Sequence, residues 1–246
     1  MIRCLNCDRQ FEGVHCPSCA QPAKTGRITG AYLAHDIPHS VLHVDRGILF
    51  TMKELFICPA AMLRGYLAGK RAGHFKPVAY VVILSAASSF VAHLVGNYVA
   101  RKHGVPSMIL DDTWMNRAIM GSRSIFGSYP SLFYFAMIPI ISACNWLFFH
   151  RRYNFWEHVV INAYLTAQFN LLLIVAAIIR LLGDDSYKLT PYLILFFTYL
   201  AVVYSKLFLE RRDPLRLPKI IALILMVGVL YMTGLTFGGI MTPWWI

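Results

Sequence analysis

Charge is what this chain has least of. Only 14% of its 246 residues are charged, and acidic residues are the scarcest, 12 in all. Soluble domains carry about 25% charged residues and about 45–50% apolar ones. Here 57% are hydrophobic and the mean hydropathy is +0.54. That shortage excludes an ordinary soluble globule and points to a bilayer. Catalytic signatures are missing as well. There is no phosphate-binding glycine loop, no His-Glu-x-x-His and no nucleophile–base pair, so no catalytic residue is assigned and an enzyme is not the expectation. A cleaved leader needs an apolar stretch in the first ~15–30 residues. That region is polar and cysteine-bearing, so no secretory signal is expected.

What the chain has instead is long apolar runs. Five are long enough to cross a hydrocarbon core of about 30 Å, which takes about 20 helical residues. They are Val78 to Ala100, Ser131 to Phe149, His158 to Leu182, Pro191 to Leu209, and Ile220 to about Met241, with a kink expected at Pro139. The fold class expected is therefore an all-α integral membrane protein with about five transmembrane helices in 77–246. It carries a small zinc ribbon in 1–24 and a juxtamembrane amphipathic region in 25–76. Seventeen of the 23 Lys and Arg residues fall in three regions on one side: Met1 to Lys76, Arg151 with Arg152, and Lys206 to Lys219. The positive-inside rule makes that side cytoplasmic and leaves the C-terminus outside, with Trp244 and Trp245 as interfacial anchors of an inner-membrane protein. The net charge of +11 is thus explained by an anionic membrane surface and not by nucleic acid.

Cys4, Cys7, Cys16 and Cys19 form two Cys-x-x-Cys pairs joined by eight residues, "DRQFEGVH", with Gly13 near the expected tip. In a reducing cytoplasm disulfides are rare, and two such pairs bring four thiolates to a tetrahedral centre. A redox pair needs only one motif. Structural zinc is the expected cofactor, with an iron–sulfur centre or unliganded thiols as alternatives. The residue after each pair occupies a left-handed position in such knuckles. Here these are Asp8, which tolerates it, and Ala20, for which it costs about 1–2 kcal/mol. Four sulfurs close the site, so His15 is expected beside the metal and not on it.

From Lys24 to Lys76 apolar clusters alternate with basic residues. Thr51-x-x-Glu54 has the form of a capping box, although the adjoining apolar residues could place the helix start earlier, and Pro59 suits a first helical turn. Two short amphipathic helices in the cytoplasmic interface are expected, a small subdomain packed on the bundle being the other possibility. His35, His39 and His43 recur at helical spacing, but Pro38 interrupts them and a metal needs three or four ligands. Cys58 and Cys144 are isolated and suit apolar packing.

Polar residues at depth are costly. In the third run Glu157, Tyr164 and Gln168 share one helical face, and Asn162, Thr166 and Asn170 another. Hydrogen bonding between helices is one use of them, worth about 0.6 kcal/mol each. The other is a polar membrane site formed by Glu157, His158, Asn162, Gln168 and Asn170. Ser85 with Ser89, and Gly234 with Gly238, are small-residue pairs that favour close helix contact and allow a homo-oligomer.

The strings "CLNC", "HCPSCAQ", "DRGILFTMKELFICPAAMLRGYLAGKR", "KPVAYVVI" and "NFWEHVVINAY", in that order, resemble the DUF3667 family of bacterial membrane proteins. The resemblance implies a cytoplasmic-side metal ribbon on an integral membrane body and brings no assigned activity. The function expected is a non-enzymatic membrane protein whose zinc ribbon docks a cytoplasmic protein partner or stiffens the bundle entry. The alternative is a transporter or membrane-embedded enzyme using the polar face of the third run.

Overall fold

The computed structural model describes residues 1–34, 47–103, 130–182, 190–208 and 216–237. The expectations for His35, His39, His43, Gly238, Trp244 and Trp245 lie outside the described residues. At the start of the chain β1 (Ile2–Arg3) pairs antiparallel with β2 (Gln10–Phe11), Ile2 facing Phe11 and Arg3 facing Gln10. Gly13 turns the chain at φ +117°, and a bridge between His15 and Pro22 closes a second turn. Residues 30–34 make a helical turn.

Two short helices follow, α1 (Gly47–Ile57) and α2 (Pro59–Leu67). Pro59 falls at the first turn of α2, where its missing N–H costs nothing. Thr51 does not start a helix. α1 already contains it, and its buried hydroxyl accepts a hydrogen bond from the Phe75 amide at 2.7 Å. Glu54, the other half of the expected capping box, meets His74 Nε2 at 3.2 Å. A local motif was overridden by tertiary contact, because the apolar residues from Gly47 onward extend the helix backward past it.

The long helices are α3 (Pro77–His103), α4 (Pro130–Phe149, with Pro139 inside it), α5 (Phe155–Leu182), α6 (Thr190–Phe208) and α7 (Arg216–Phe237). Each coincides with one of the five apolar runs. Three of them contain stretches long and apolar enough to cross a membrane: Pro77–Val95, Phe155–Ile179 and Pro191–Phe208. The described apolar stretches of the other two, Phe135–Phe149 and Ile221–Leu230, are shorter.

α5 is the axis of the bundle, with α3, α4 and α6 packed around it. Every residue from Val160 to Asn170 is buried. Ile161, Tyr164, Leu165 and Phe169 pack with Leu84, Ile138, Ile141, Phe196 and Val203 in one core. The rings of Tyr66, Tyr80 and Tyr164 join α2, α3 and α5, with Tyr66–Tyr164 centroids 5.4 Å apart and nearly perpendicular. Such edge contacts contribute about 0.5–1.5 kcal/mol beyond the area buried. The outward faces stay apolar: Phe90 and Leu94 on α3, Leu147 on α4, Ile194 and Leu195 on α6, and Leu225 and Val229 on α7 are all exposed. A helix with a polar seam inside and an oily face outside is inverted relative to a soluble bundle.

The polar seam ties three helices together. Asn162 of α5 donates to Ser142 Oγ of α4 at 3.0 Å, and its Oδ1 accepts from Asn145 Nδ2 at 3.1 Å and from the Tyr204 hydroxyl of α6 at 2.9 Å. Replacing Asn162 by leucine removes all three bonds and takes the acceptor from the buried Tyr204 hydroxyl, a cost of about 1–3 kcal/mol. Thermal unfolding of detergent-solubilised Asn162→Leu should show a midpoint well below that of the parent. Tyr204→Phe, which removes the hydroxyl's bonds to Asn162 and to Asn145, should lie between them.

Candidate metal centre and the polar residues around the bundle

The ribbon is two copies of one turn. Cys4 N–H donates to Arg9 O and Asp8 N–H to Cys4 O, at 2.9 and 3.0 Å; Cys16 N–H donates to Gln21 O and Ala20 N–H to Cys16 O, at 2.9 and 2.8 Å. The offsets are identical in the two knuckles. Asp8 and Ala20 take φ of +60° and +58°, the left-handed positions expected after each Cys-x-x-Cys pair. Ala20 pays for this conformation, which indicates that the knuckle is held by more than its backbone. Arg3 supports the first knuckle through Asp8 at 3.1 Å.

All four sulfurs lie within 4.8 Å of one another, Cys4–Cys19 and Cys7–Cys16 being 3.5 Å apart. A tetrahedron with metal–sulfur bonds of about 2.3 Å has edges of about 3.8 Å, so the four residues fit one metal ion. Cys4 and Cys16 are buried, whereas Cys7 faces outward. For Cys16, burial pushes the thiol up, and the amides of Ser18 and Cys19 with the neighbouring sulfurs more than offset it, down to about 7. For Cys7 the Arg9 amide pulls the thiol down, yet burial and the other three sulfurs push it up to about 12. Four thiolates this close repel one another, and a cation is what relieves them.

The ribbon is seated on its own chain. Gln21 is buried, and its Oε1 accepts from the backbone amides of both Arg71 and Ala72, at 3.0 and 3.1 Å. Leu5 packs against Gly69 so closely that a Cβ there would lie 2.7 Å from Leu5 Cδ1, and Gly69 also needs its φ of +107°. Arg71 then crosses back, donating to Gly26 O at 2.8 Å and stacking on the Tyr32 ring at 4.8 Å. The segment after the ribbon thus forms a strap over the start of α5.

Each of the five polar residues expected to form a membrane site is engaged by residues of the same chain, Glu157 and His158 both by Asn154. Glu157 belongs to a reciprocal cap of α5: Asn154 N–H donates to its Oε2 at 2.7 Å, while its own N–H donates to Asn154 Oδ1 at 2.8 Å. The same carboxylate receives both arms of Arg27, from Nε at 2.8 Å and from an Nη at 3.0 Å. This hydrogen-bonded pairing raises the Arg27 pKa further above its usual range. His158 meets Asn154 O through Nδ1 at 2.9 Å and stacks on Phe208, leaving a buried Nε2 without a partner. Asn162 holds the α4–α6 seam. Gln168 donates to the Tyr80 hydroxyl at 3.1 Å, and Asn170 donates to Ser85 Oγ at 3.1 Å and to Thr166 O at 3.0 Å. The Ser85 hydroxyl is therefore used within the chain.

Sequence reasoning passed over Gln21, Arg27, Asn154 and Arg71. The spacing Asn154-x-x-Glu157 was a readable cap signal. Nothing local marks Gln21 or Arg27, whose partners stand 50 and 130 residues away.

A helical bundle with an apolar exterior and a four-cysteine ribbon seated at one end defines the class: a membrane-type helical protein with a cysteine cluster that could hold a metal ion. Residues 45–88 match the family DUF3667, described as a protein of unknown function. The matched stretch contains α1, α2 and the start of α3, and the four-cysteine cluster before it is consistent with a Cys-x-x-Cys zinc-ribbon-like segment. No curated protein and no solved structure matches the chain.

Two outcomes are expected. Metal binding must displace protons from these thiols, Cys7 among them at any pH below about 12, so affinity rises with pH and falls more steeply on acidification below about 7, where Cys16 protonates too. Cobalt titration, read by its thiolate charge-transfer absorption at pH 6, 7 and 8, checks the sign. For the strap, Arg27 is mostly exposed, so Arg27→Met should cost about 0.5–1 kcal/mol. Asn154→Ala, which opens the cap, should cost about 1–2 kcal/mol. Chemical unfolding of the two variants tests that order.

Proposed function

We propose that this chain is an integral membrane protein whose zinc-held ribbon is a fixed cytoplasmic cap on the entry of a five-span bundle, organising the membrane-proximal face without catalysing a reaction. The observation that carries this reading is the seat of the second knuckle. Gln21, two residues beyond Cys19, receives the amides of Arg71 and Ala72 just before the first span. A metal that sets the knuckle also sets Gln21, and through it the loop from which α3 departs. Four thiolates close the coordination shell, so the metal has no open position for a substrate and its contribution is folding energy. Zinc is the ion whose preferred geometry and softness suit four cysteines in a reducing compartment.

In this reading α3 to α7 all cross the bilayer, and the distribution of Lys and Arg puts the N-terminus in the cytoplasm and the C-terminus outside. The face of the ribbon turned away from the bundle, with Arg9, Glu12 and the exposed Val14, offers a rigid surface to a cytoplasmic protein partner.

A second reading, passage or processing of a small polar substrate, is favoured by one feature. The amide oxygens of Asn145, Gln168 and Asn170 are buried without a hydrogen-bond partner. Buried acceptors of that kind are normally satisfied, and a polar solute or water would satisfy them.

Metal analysis and hydrogen exchange on the purified, detergent-solubilised protein distinguish these outcomes. One zinc per chain, slow exchange at Arg71 and Ala72, and loss of that protection in Cys4→Ser/Cys7→Ser support the cap. A metal-free protein, or protection unchanged by the double substitution, overturns it. Retention in the membrane pellet after an alkaline wash is expected in either reading.

A further inference from the structure

The corner between α1 and α2 has a position that an interfacial helix would not reach. The Tyr199 hydroxyl donates to the Leu55 carbonyl at 3.0 Å. Tyr199 lies nine residues from Phe208 at one end of α6 and eight from Pro191 at the other, the limits of its apolar crossing stretch. At 1.5 Å per residue the Tyr199 backbone is about 13 Å from the Phe208 end. A helical side chain leans toward the helix N-terminus, which carries its hydroxyl farther still from that end. The Phe208 end is the ribbon side, because Phe208 stacks on His158 at the start of α5, 5.3 Å between ring centroids. Leu55 therefore sits about halfway across the thickness that α6 spans, whereas interfacial helices bury their apolar face only about 5–10 Å.

The return limb agrees with this depth. Arg64 of α2 donates to the Lys206 carbonyl at 3.3 Å, near the ribbon end of α6, and Gly69 just beyond α2 touches Leu5 of the ribbon. The chain thus comes from beside Gly73–Phe75, where Gly47 packs, descends through α1 to Leu55, turns at Cys58–Pro59 and climbs back through α2.

In hydrocarbon each unsatisfied carbonyl costs several kcal/mol, and three carbonyls of the corner have donors. Glu54 O accepts from Cys58 N–H, Cys58 O from the Ala61 and Met62 amides, and Leu55 O, which has no helical donor of its own, from Tyr199. The side chains at the corner itself are apolar, and the exposed Lys53, one turn nearer the ribbon side than Ile57, has the length to reach toward that side. Phe56 and Ile57 at the corner are 60% and 71% exposed, and Leu49 is 69% exposed on the same limb. Ile194 and Leu195 on α6, the helix that Leu55 meets through Tyr199, are exposed and apolar as well. Glu54 is paired with His74, and Arg64 reaches the ribbon end.

We propose that α1 and α2 form a re-entrant helical hairpin that enters the bilayer from the ribbon side and presents Phe56 and Ile57 to lipid acyl chains near mid-depth. The inference rests on the reading of α6 as a membrane span. It assigns the partner of the exposed face of α1: hydrocarbon chains of the leaflet, and not headgroups, a protein or a second copy of this chain.

Depth-dependent quenching tests it. The full-length protein carrying Ile57→Trp is reconstituted in vesicles of phosphatidylcholine brominated either high or low on its acyl chains, and its emission is taken as the difference from the parent. Leu195→Trp on α6 is the deep control. If the hairpin is re-entrant, Ile57→Trp and Leu195→Trp both lose more emission to the deep bromines than to the shallow ones. If Leu195→Trp shows that order and Ile57→Trp shows the reverse, the hairpin lies at the interface and the inference fails. Should Ile57→Trp be quenched by neither while Leu195→Trp is, protein covers the corner and the inference also fails. If Leu195→Trp itself escapes both, the membrane reading falls first. Phe56→Trp repeats the measurement one residue away, in case Ile57→Trp does not fold.

Discussion

From Val160 to Asn170 helix α5 has no free side. A helix enclosed in this way cannot leave a polar side chain to solvent, so each one must find its partner on a neighbouring helix or remain unsatisfied. Asn162 finds Ser142, Asn145 and Tyr204; Gln168 finds Tyr80; Asn170 finds Ser85. Those bonds fix how α3, α4 and α6 are set around the axis, because sliding any of them by one residue would strand an amide. Apolar packing alone is more tolerant of such slips. The interior therefore specifies the arrangement, and the oily exterior lets it sit in lipid.

The same constraint reaches the ribbon. The first turn of α5 has free N–H groups, and Asn154 with Glu157 closes them. That use of Glu157 leaves a nearly buried carboxylate, which Arg27 neutralises from the segment after the ribbon. Gln21 and Arg71 make the second tie, and Leu5 against Gly69 the third. A metal that draws Cys4, Cys7, Cys16 and Cys19 together therefore acts on more than some twenty residues. It would hold a strap whose far end pairs Arg27 with the capping carboxylate of the central helix, and it would offset the conformational cost of a left-handed alanine at position 20.

Much of this was legible in the residues. The cysteine pairs and the left-handed positions after them could be read because a knuckle is a local object, set by short spacing and backbone geometry. The long helices could be read because lipid imposes length and apolarity on each one separately. Of the two readings of Thr51 and Glu54, a cap or a helix that starts earlier, the structure shows the second. Their spacing matched a cap, but Phe75 and His74 claimed both side chains from outside the helix. Of the five crossings read from the residues, three have stretches of full crossing length among the described residues.

The sequence by itself determined the class of element at each position: a four-thiolate ribbon, short helices, then long apolar helices carrying polar residues on α5. These follow from ligand chemistry, helical periodicity and transfer energy, which act within a few tens of residues. Only the tertiary structure decided the partners. It seated Gln21 on the Arg71 and Ala72 amides, turned Glu157 from a free carboxylate into a cap with Arg27, and joined Tyr199 to Leu55. Each of those bonds closes a long loop of chain, and its geometry depends on how whole helices pack, which no short window of sequence records.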